Sequence, residues 1–238
     1  MVIMKYTNIV ILTGAGISEE SGIQTFRGAD GLWENHRIEE VAHPVAFQKN
    51  PELVHRFYNE RRKKLQTPEI KPNAAHLALK ELEDNSFAHF LLVTQNVDNL
   101  HERAGAEKVV HMHGEIMKAR CLSCEKSNDH FEDMNLASVC KSCGTKGKLR
   151  PDIVWFEEAV MHMKEIMEHL RLCDLFICIG TSGQVYPAAG FVDMVPLDCR
   201  TVEINLAPTQ ISALFKEHYY GKASIEVPRF VQSLHLTE

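Results

Sequence analysis

The chain has 238 residues and a formal net charge of −6 at pH 7, with 45% hydrophobic and 24% charged residues, as is usual for a globular domain. An acidic chain lacks the excess of basic residues that nucleic-acid binding requires, and no apolar run approaches the length of a membrane span. We therefore expect the protein to bind neither nucleic acid nor a membrane. Seven cysteines, an odd number, favour a reducing compartment, and we expect a cytoplasmic protein. The composition leaves the oligomeric state open.

Apolar runs alternate with helical patterns along the chain. The runs at residues 9–12, 90–93, 109–111, 175–179 and 201–204 predict buried strands, and the patterns at 74–83, 162–171 and 209–217 predict helices. The first run is short and flows into a glycine turn, so we interpret it as a strand and not as a signal peptide. The alternation predicts an α/β protein with a doubly wound parallel sheet.

Two regions interrupt this alternation. Residues 28–66 are mostly helical and polar, with no predicted strand, and residues 121–147 are short of apolar side chains. We interpret both as inserts carried by the sheet domain. The predicted organisation is a sheet domain of residues 1–27, 68–116 and 148–238, a helical insert of residues 28–67 and a zinc-binding module of residues 117–147.

The segment TGAGIS at residues 13–18 follows the first strand directly. Glycines in such a turn let the backbone approach a phosphate at the amino end of a helix. The full dinucleotide fingerprint is absent, because Glu19 stands at the third glycine position. A strand-to-helix turn without a ligand is therefore the alternative.

Polar side chains follow the next two strands. Gln95, Asn96 and Asp98 come after one strand, and His111 and His113 come at the end of the other. The carboxyl ends of strands are where open α/β sheets bind ligands, so we expect two amides, a carboxylate and an imidazole in one crevice. An imidazole in that setting suits a general base. Both histidines share one face of their strand by two-residue alternation, so the residues alone leave both as candidates.

Two CxxC pairs, Cys121 with Cys124 and Cys140 with Cys143, are separated by residues 125–139. Each CxxC places two thiolates on one side of a tight turn, so the pattern predicts a tetrahedral, structural zinc site. Four free thiols are the alternative, but the segment has too few apolar residues to fold unaided. The other three cysteines lie in or near apolar segments and are expected to be buried: Cys173, Cys178 and Cys199.

A helix is predicted after Asn50, which can cap it, with a proline in the first turn. Arg61 occupies a position on the apolar stripe of this helix where a hydrophobic residue is expected. One explanation is an arginine that extends to the surface beside an exposed Arg62. The other is a guanidinium held next to a phenol to bind a carboxylate. The stripe consists of Val54, Tyr58, Arg61 and Leu65.

Together these segments resemble the sirtuins, the NAD-dependent protein deacylases. The resemblance spans nearly the whole chain, and the combination is specific although no single motif is. Because the base of this family precedes a glycine, the resemblance selects His113. The matching segments, in family order, are GAGIS at 14–18, SGI at 21–23, FR at 26–27, TQNVD at 94–98, HG at 113–114, the four cysteines, PDIVWF at 151–156, GTS at 180–182 and EIN at 203–205.

The resemblance implies that NAD is consumed as a co-substrate, that one zinc ion is structural, and that the substrates are acyl-lysine proteins or peptides. It implies His113 and Asn96 as catalytic residues. The residues that it places at NAD are Gly14, Ala15, Gly16, Thr25, Phe26, Arg27, Trp33, Gln95, Asn96, Val97, Asp98, Gly180, Thr181, Ser182, Asn205, Leu206, Ala207 and Ala223.

Some details are similar to the desuccinylase-like branch of the family, and to its bacterial members above all. Gln24 and Thr25 stand where many deacetylases of the family have proline and aspartate. Ala29, Tyr58 and Arg61 match residues with which this branch holds acidic acyl groups, which would explain the arginine within the apolar stripe.

By the same resemblance, Val154 and Phe156 bind the substrate, because this strand pairs with the substrate peptide in the family. One position departs from the family pattern: Glu157 stands where the family usually has glycine. The extra carboxylate is expected to affect peptide preference.

The predicted function is therefore NAD-dependent deacylation of acetyl- and succinyl-lysine. Mono-ADP-ribosyl transfer would use the same NAD site and is one alternative. A non-catalytic, zinc-stabilised NAD-binding scaffold is another, but the combination of His113, Asn96 and Asp98 argues against it.

Overall fold

A computed structural model describes residues 6–24, 32–33, 36–86 and 88–236. The strands are β1 (Asn8–Thr13), β2 (Leu32–Trp33), β3 (His36–Arg37), β4 (His89–Thr94), β5 (Val109–His111), β6 (Gly114–Cys121), β7 (Ser127–Asp129), β8 (Leu149–Ile153), β9 (Leu175–Ile179), β10 (Arg200–Asn205) and β11 (Glu217–Tyr220). The α-helices are α1 (Ile38–Val41), α2 (Pro44–Lys49), α3 (Pro51–Leu65), α4 (Ala74–Asn85), α5 (Leu100–Arg103), α6 (Met163–Leu172) and α7 (Ala223–Leu236).

Six parallel strands form the main sheet in the order β11-β10-β9-β1-β4-β5. Counted along the chain within this sheet, the order is 6-5-4-1-2-3, which is the doubly wound arrangement of dinucleotide-binding folds. The five predicted strands are all confirmed, and so is the predicted fold class. In the centre of the sheet, Ile11 is in register with Leu92 on one side and with Ile177 on the other.

Alternate residues of β1 point into two different hydrophobic cores. Ile9 and Ile11 pack into the core that α4 and α7 cover, whereas Val10 and Leu12 pack into the core that α6 covers. Since successive strand residues face opposite sides, burial on both faces requires an uninterrupted apolar run. Each such side chain stabilises the fold by about 1.5–3 kcal/mol.

A smaller lobe has its own core. Its sheet is antiparallel, in the order β7-β6-β8, and helix α3 packs against it. Val54, Phe57 and Tyr58 of the helix share one apolar cluster with Ile116 of β6 and with Trp155. Among the helices of the described chain, none is both long and apolar enough to cross a bilayer.

Two sequence-based predictions were wrong. Residues 209–217 do not form an α-helix: a short 3-10 turn, Ser212–Leu214, precedes strand β11, which pairs with β10. Ile211 and Phe215 have helical spacing and are buried, but the edge pairing decides the conformation. The region 28–66 was expected to lack strands, yet it contains the β2–β3 pair. Strands of two residues are too short to give an alternation signal.

Candidate functional site

The central strands β1 and β9 lie side by side. Helix α4, in the connection after β1, packs into the core on one face of the sheet, whereas Phe191, in the connection after β9, packs into the core on the other. Such a switch point opens a crevice at the carboxyl ends of the strands. A cleft of about 1100 Å³ lies there, between the sheet and the smaller lobe. It is somewhat larger than most small-molecule pockets and can accommodate a dinucleotide.

The glycines at this crevice allow two loops to cross in close contact. A Cβ on Gly14 would lie 2.8 Å from the Gly180 oxygen, and a Cβ on Gly16 would lie 2.8 Å from the Gly180 Cα. Gly180 itself has a φ of +62°, which favours glycine. The Gly16 amide donates to the Gly180 carbonyl at 2.8 Å. Positions 14 and 16 therefore require glycine because the two loops pack closely against each other, a reason that the sequence did not reveal.

Side chains at the strand ends hold these loops together. Asn96 Nδ2 donates to the Gly14 carbonyl at 3.2 Å and to Ser18 Oγ at 3.1 Å. Gln95 Nε2 donates to Thr181 Oγ1 at 3.0 Å, and Asn205 Nδ2 donates to the carbonyl of the same threonine at 2.6 Å. These hydrogen bonds thus fix the relative positions of the loops that form the cleft wall. Ser18 lines the cleft but was not among the predicted site residues, although it lies within the GAGIS motif.

Asp98 is buried beside these amides. Its Oδ1 accepts a hydrogen bond from the Leu100 amide at 3.0 Å. Burial raises the pKa of Asp98, although the bonds from Leu100 and Ser18 act in the opposite direction.

His113 lies in the turn between β5 and β6 and lines the cleft. Its Nδ1 is 3.0 Å from the Gln95 carbonyl, which can only accept a hydrogen bond. The Nδ1 atom therefore carries the proton, and Nε2 carries a lone pair. Burial lowers the pKa of His113, although the hydrogen bond to the Gln95 carbonyl acts in the opposite direction. The ring is therefore neutral at pH 7. A neutral imidazole with this tautomer is suited to remove a proton.

His111 has a different environment, so the expectation that both histidines share a strand face was wrong. Strand β5 ends at His111, whose Nδ1 contacts the Asn96 carbonyl at 3.1 Å and whose Nε2 contacts Glu102 at 2.7 Å. Burial alone would lower the pKa of His111, but the Glu102 carboxylate raises it. With an acceptor at each nitrogen, the protonated form of His111 is favoured.

Tyr58 and Arg61 line the other end of the cleft from helix α3. Asn50 caps this helix as predicted, accepting a bond from the Leu53 amide at 3.1 Å. Tyr58 is fully buried, and its oxygen accepts a hydrogen bond from Trp155 Nε1 at 2.9 Å. The Arg61 guanidinium lies over the Phe57 ring, 3.1 Å from its centroid.

Arg62, which we expected to be exposed, is only 1% exposed. Its Nε donates to the Ile116 carbonyl at 3.0 Å, and one terminal nitrogen donates to Asn59 Oδ1 at 2.8 Å. Burial lowers the pKa of Arg62 to about 10, although the negative charges of Asp133 and Glu132 act to raise it. The expectation failed because strand β6, which is distant in sequence, covers this side of the helix.

The segment after β8 completes the cleft. The Val154 amide donates to the His113 carbonyl at 2.9 Å, and the Phe156 amide donates to the Ala42 carbonyl at 3.0 Å. The next residue, Glu157, has a φ of +70°. A residue with a side chain adopts this left-handed conformation at a cost of about 1–2 kcal/mol, whereas glycine adopts it without that cost.

The cleft gathers most of the predicted site residues. Leu206 and Ala223 do not line it, and Thr25, Phe26, Arg27 and Ala29 lie outside the described residues, as does the side chain of Trp33. The predicted residues that do line it are Gly14, Ala15, Gly16, Tyr58, Arg61, Gln95, Asn96, Val97, Asp98, His113, Val154, Phe156, Gly180, Thr181, Ser182, Asn205 and Ala207. Further lining residues that gave no sequence signal include Gln184, Val185, Tyr186, Thr209 and Gln210.

The four predicted ligand cysteines converge away from this cleft. Cys121 and Cys143 have their sulfur atoms 3.8 Å apart, as do Cys124 and Cys140, and all four sulfurs lie within 4.8 Å of one another. Four sulfurs at 2.3 Å from a tetrahedral zinc would be about 3.8 Å apart, so the residues fit this ion. The other cysteines are buried as predicted.

Replacing Cys124 with serine is expected to release zinc and to lower the melting temperature. The cluster around the cysteines has few buried apolar residues, so the module depends on metal binding for its fold. Metal analysis should find one zinc per chain in the unmodified protein and none in the variant. Cys178→Ala, a thiol in the main core, is the control and should retain zinc. A folded, active protein that contains no zinc would contradict this prediction.

The doubly wound sheet, the polar cleft at its switch point and the four-cysteine module define a class of zinc-bearing, dinucleotide-binding α/β proteins. The model of the Sir2 family matches residues 14–187, and the chain belongs to this family. The predicted family is thereby confirmed.

Bacterial relatives match along nearly the whole chain. The chain is 57% identical over 226 residues to an NAD-dependent protein deacylase of Bdellovibrio bacteriovorus, covering 95% of this chain and 96% of that protein. It is 55% identical over 230 residues to an NAD-dependent protein deacylase of Vibrio parahaemolyticus, covering 96% and 95%, respectively.

Solved structures show the same fold. A complex of a Sir2 homologue with NAD superposes with a TM-score of 0.88 at 38% identity, covering 99% of this chain and 92% of that one. A complex of Sir2, a p53 peptide and NAD+ superposes with a TM-score of 0.80 at 30% identity, covering 98% and 95%.

Proposed function

We propose that this chain is an NAD-dependent protein-lysine deacylase that accepts acetyl-lysine and succinyl-lysine. The observation that carries the proposal is the neutral His113 imidazole, whose bonded Nδ1 leaves Nε2 as a base in the cleft. Relatives named as NAD-dependent protein deacylases support it, as do Sir2 complexes with NAD and with a peptide.

Five residues of the cleft have assigned roles in this reaction. NAD, when bound, supplies an electrophilic ribose carbon and a nicotinamide leaving group. Asn96 and Asp98 orient the ribose and the nicotinamide amide, and His113 Nε2 accepts a proton from a ribose hydroxyl. The backbone of Val154 and Phe156 holds the acyl-lysine peptide. With one water consumed, acyl-lysine and NAD would give lysine, nicotinamide and O-acyl-ADP-ribose.

The acceptance of succinyl-lysine rests on Tyr58 and Arg61. They are three residues apart on α3, so their side chains share a helix face, and both line the cleft. An arginine presents its N–H donors in a planar fork that matches the two oxygens of a carboxylate. The guanidinium of Arg61 is therefore chemically suited to bind an acidic acyl group at this place in the cleft.

The division into lobes is part of the proposal. The sheet domain would comprise residues 1–27, 68–116 and 148–238, with NAD between it and a smaller lobe of residues 28–67 and 117–147. The separate apolar clusters of the sheet and of the helical insert support this division.

A nicotinamide-release assay tests the proposed function. Acetyl-lysine and succinyl-lysine in one peptide sequence should both be deacylated, with one nicotinamide released for each lysine formed. ADP-ribosylated protein without O-acyl-ADP-ribose would favour mono-ADP-ribosyl transfer instead. NAD binding without any nicotinamide release would favour the scaffold.

The pH dependence of kcat/KM should report the ionisation of His113. Its pKa is lowered below the ordinary 6.5 by burial, so the neutral, active form persists below that pH. We expect activity to fall on acidification with a midpoint below about 6.5 and to be constant from there to pH 8. Initial rates measured at each pH with the acyl-peptide well below its KM, with folding checked by circular dichroism, provide the test. An acidic midpoint above 7 would contradict this assignment.

A further inference from the structure

In the segment 154–158, which follows β8 and is proposed to hold the peptide, Glu157 is the residue that combines a left-handed backbone with a charged side chain. Its φ is +70°, and its side chain is 78% exposed while lining the cleft. Backbone hydrogen bonds hold the residues before it in place: the Val154 amide donates to the His113 carbonyl, and the Phe156 amide donates to the Ala42 carbonyl. The backbone therefore presents this carboxylate at the mouth of the cleft.

His43 fixes the position of the carboxylate. Nδ1 of His43 accepts a hydrogen bond from the Val45 amide at 3.1 Å at the start of α2, so the proton of the neutral ring is on Nε2. This Nε2 lies 3.1 Å from Glu157 Oε2. A neutral histidine can donate this bond, so it orients the carboxylate without cancelling its charge.

The neighbouring carboxylate is neutralised, unlike that of Glu157. Glu158 receives two hydrogen bonds from Arg150, at 2.6 and 2.9 Å, and one from the Trp155 amide at 2.8 Å. Within the described part of the chain, no lysine or arginine lies within ion-pair distance of Glu157, whose partner is the neutral His43. The mouth of the cleft thus carries one oriented negative charge beside the backbone that is proposed to hold the peptide.

We propose that Glu157 selects substrates in which a lysine or arginine lies close to the acyl-lysine in sequence. This inference rests on the proposed deacylase function. A cation that the peptide brings to this position forms a partly exposed ion pair, and such a pair changes affinity by up to about fivefold. Charges at the rim of a binding site act mainly on association, and salt screens them.

Three acetyl-lysine peptides that differ only in flanking arginine, alanine or aspartate test the proposal through kcat/KM at low ionic strength. The unmodified protein should prefer arginine to alanine, and alanine to aspartate, each by about threefold to fivefold. The preference should shrink at high salt. Glu157→Gln and Glu157→Gly should both abolish it. Glu165→Gln removes another exposed carboxylate that pairs with a histidine but does not line the cleft, and it should preserve the preference.

Several outcomes would overturn the proposal. Equal turnover of the three peptides by the unmodified protein would do so, as would a preference that survives in Glu157→Gln. Loss of the preference in Glu157→Gly alone would assign it to the backbone and not to the charge. If no peptide yields nicotinamide, the deacylase function fails, and dissociation constants for the three peptides still show whether Glu157 selects the flanking charge.

Discussion

Replacing His113 with asparagine is expected to lower kcat for deacylation by about 10²- to 10⁴-fold, the usual contribution of a general base. Asparagine retains an N–H that can donate to the Gln95 carbonyl, which accepts from His113 at 3.0 Å. It cannot accept a proton near neutral pH. The loss should therefore fall on the chemical step, while the fold and NAD binding are retained. Single-turnover rates with NAD and an acetyl-lysine peptide measure it.

Two other histidines serve as controls for this substitution. His162→Asn changes a half-exposed side chain outside the cleft and should leave the rate unchanged. His111→Asn removes the buried partner of Glu102, so it should lower the melting temperature more than the rate per folded molecule. A dead His111 variant together with an active His113 variant would show that the base has been misassigned.

Arg61→Met is expected to lower kcat/KM for succinyl-lysine by at least about 30-fold. Losing one partner of a desolvated charge pair costs on the order of 2–5 kcal/mol, and about 1.4 kcal/mol corresponds to tenfold. Acetyl-lysine has no carboxylate to leave unpaired, so it should change by less than about fivefold or improve. Tyr58→Phe should act in the same direction but more weakly, because it removes a neutral donor. Both acyl groups are compared on one peptide.

Arg56→Met is the matched control, because Arg56 is exposed on the same helix and does not line the cleft. Both substrates should retain their rates in this variant. If Arg61→Met instead reduces acetyl-lysine and succinyl-lysine equally, Arg61 holds the lobe together and does not recognise the carboxylate.

The neighbouring Arg62 shows why the sequence could not assign the two arginines by itself. Arg61 interrupts an apolar stripe, which is a signal, whereas Arg62 looks like part of a solvated basic run. The structure buries Arg62 under β6 and leaves Arg61 half-buried at the cleft. Helical periodicity describes one helix, but burial depends on what packs against it.

The sequence by itself determined the parts of this protein whose signals are local. Continuous apolar runs specified the parallel strands because both faces of the sheet are buried, and the spacing of Cys121, Cys124, Cys140 and Cys143 specified a metal module because each pair closes its own tight turn. The order of short motifs was specific enough to indicate the family. None of these signals required contacts between distant segments.

Only the tertiary structure decided the features that depend on long-range contacts. It separated His113 from His111 through partners on other loops, showed that Gly14 and Gly16 are required by the close approach of Gly180, and placed Glu157 against His43. Strand β11 likewise exists because β10 offers it an open edge, against a helical pattern in its sequence. Each of these outcomes depends on groups brought together from remote parts of the chain, so no local pattern carries the information.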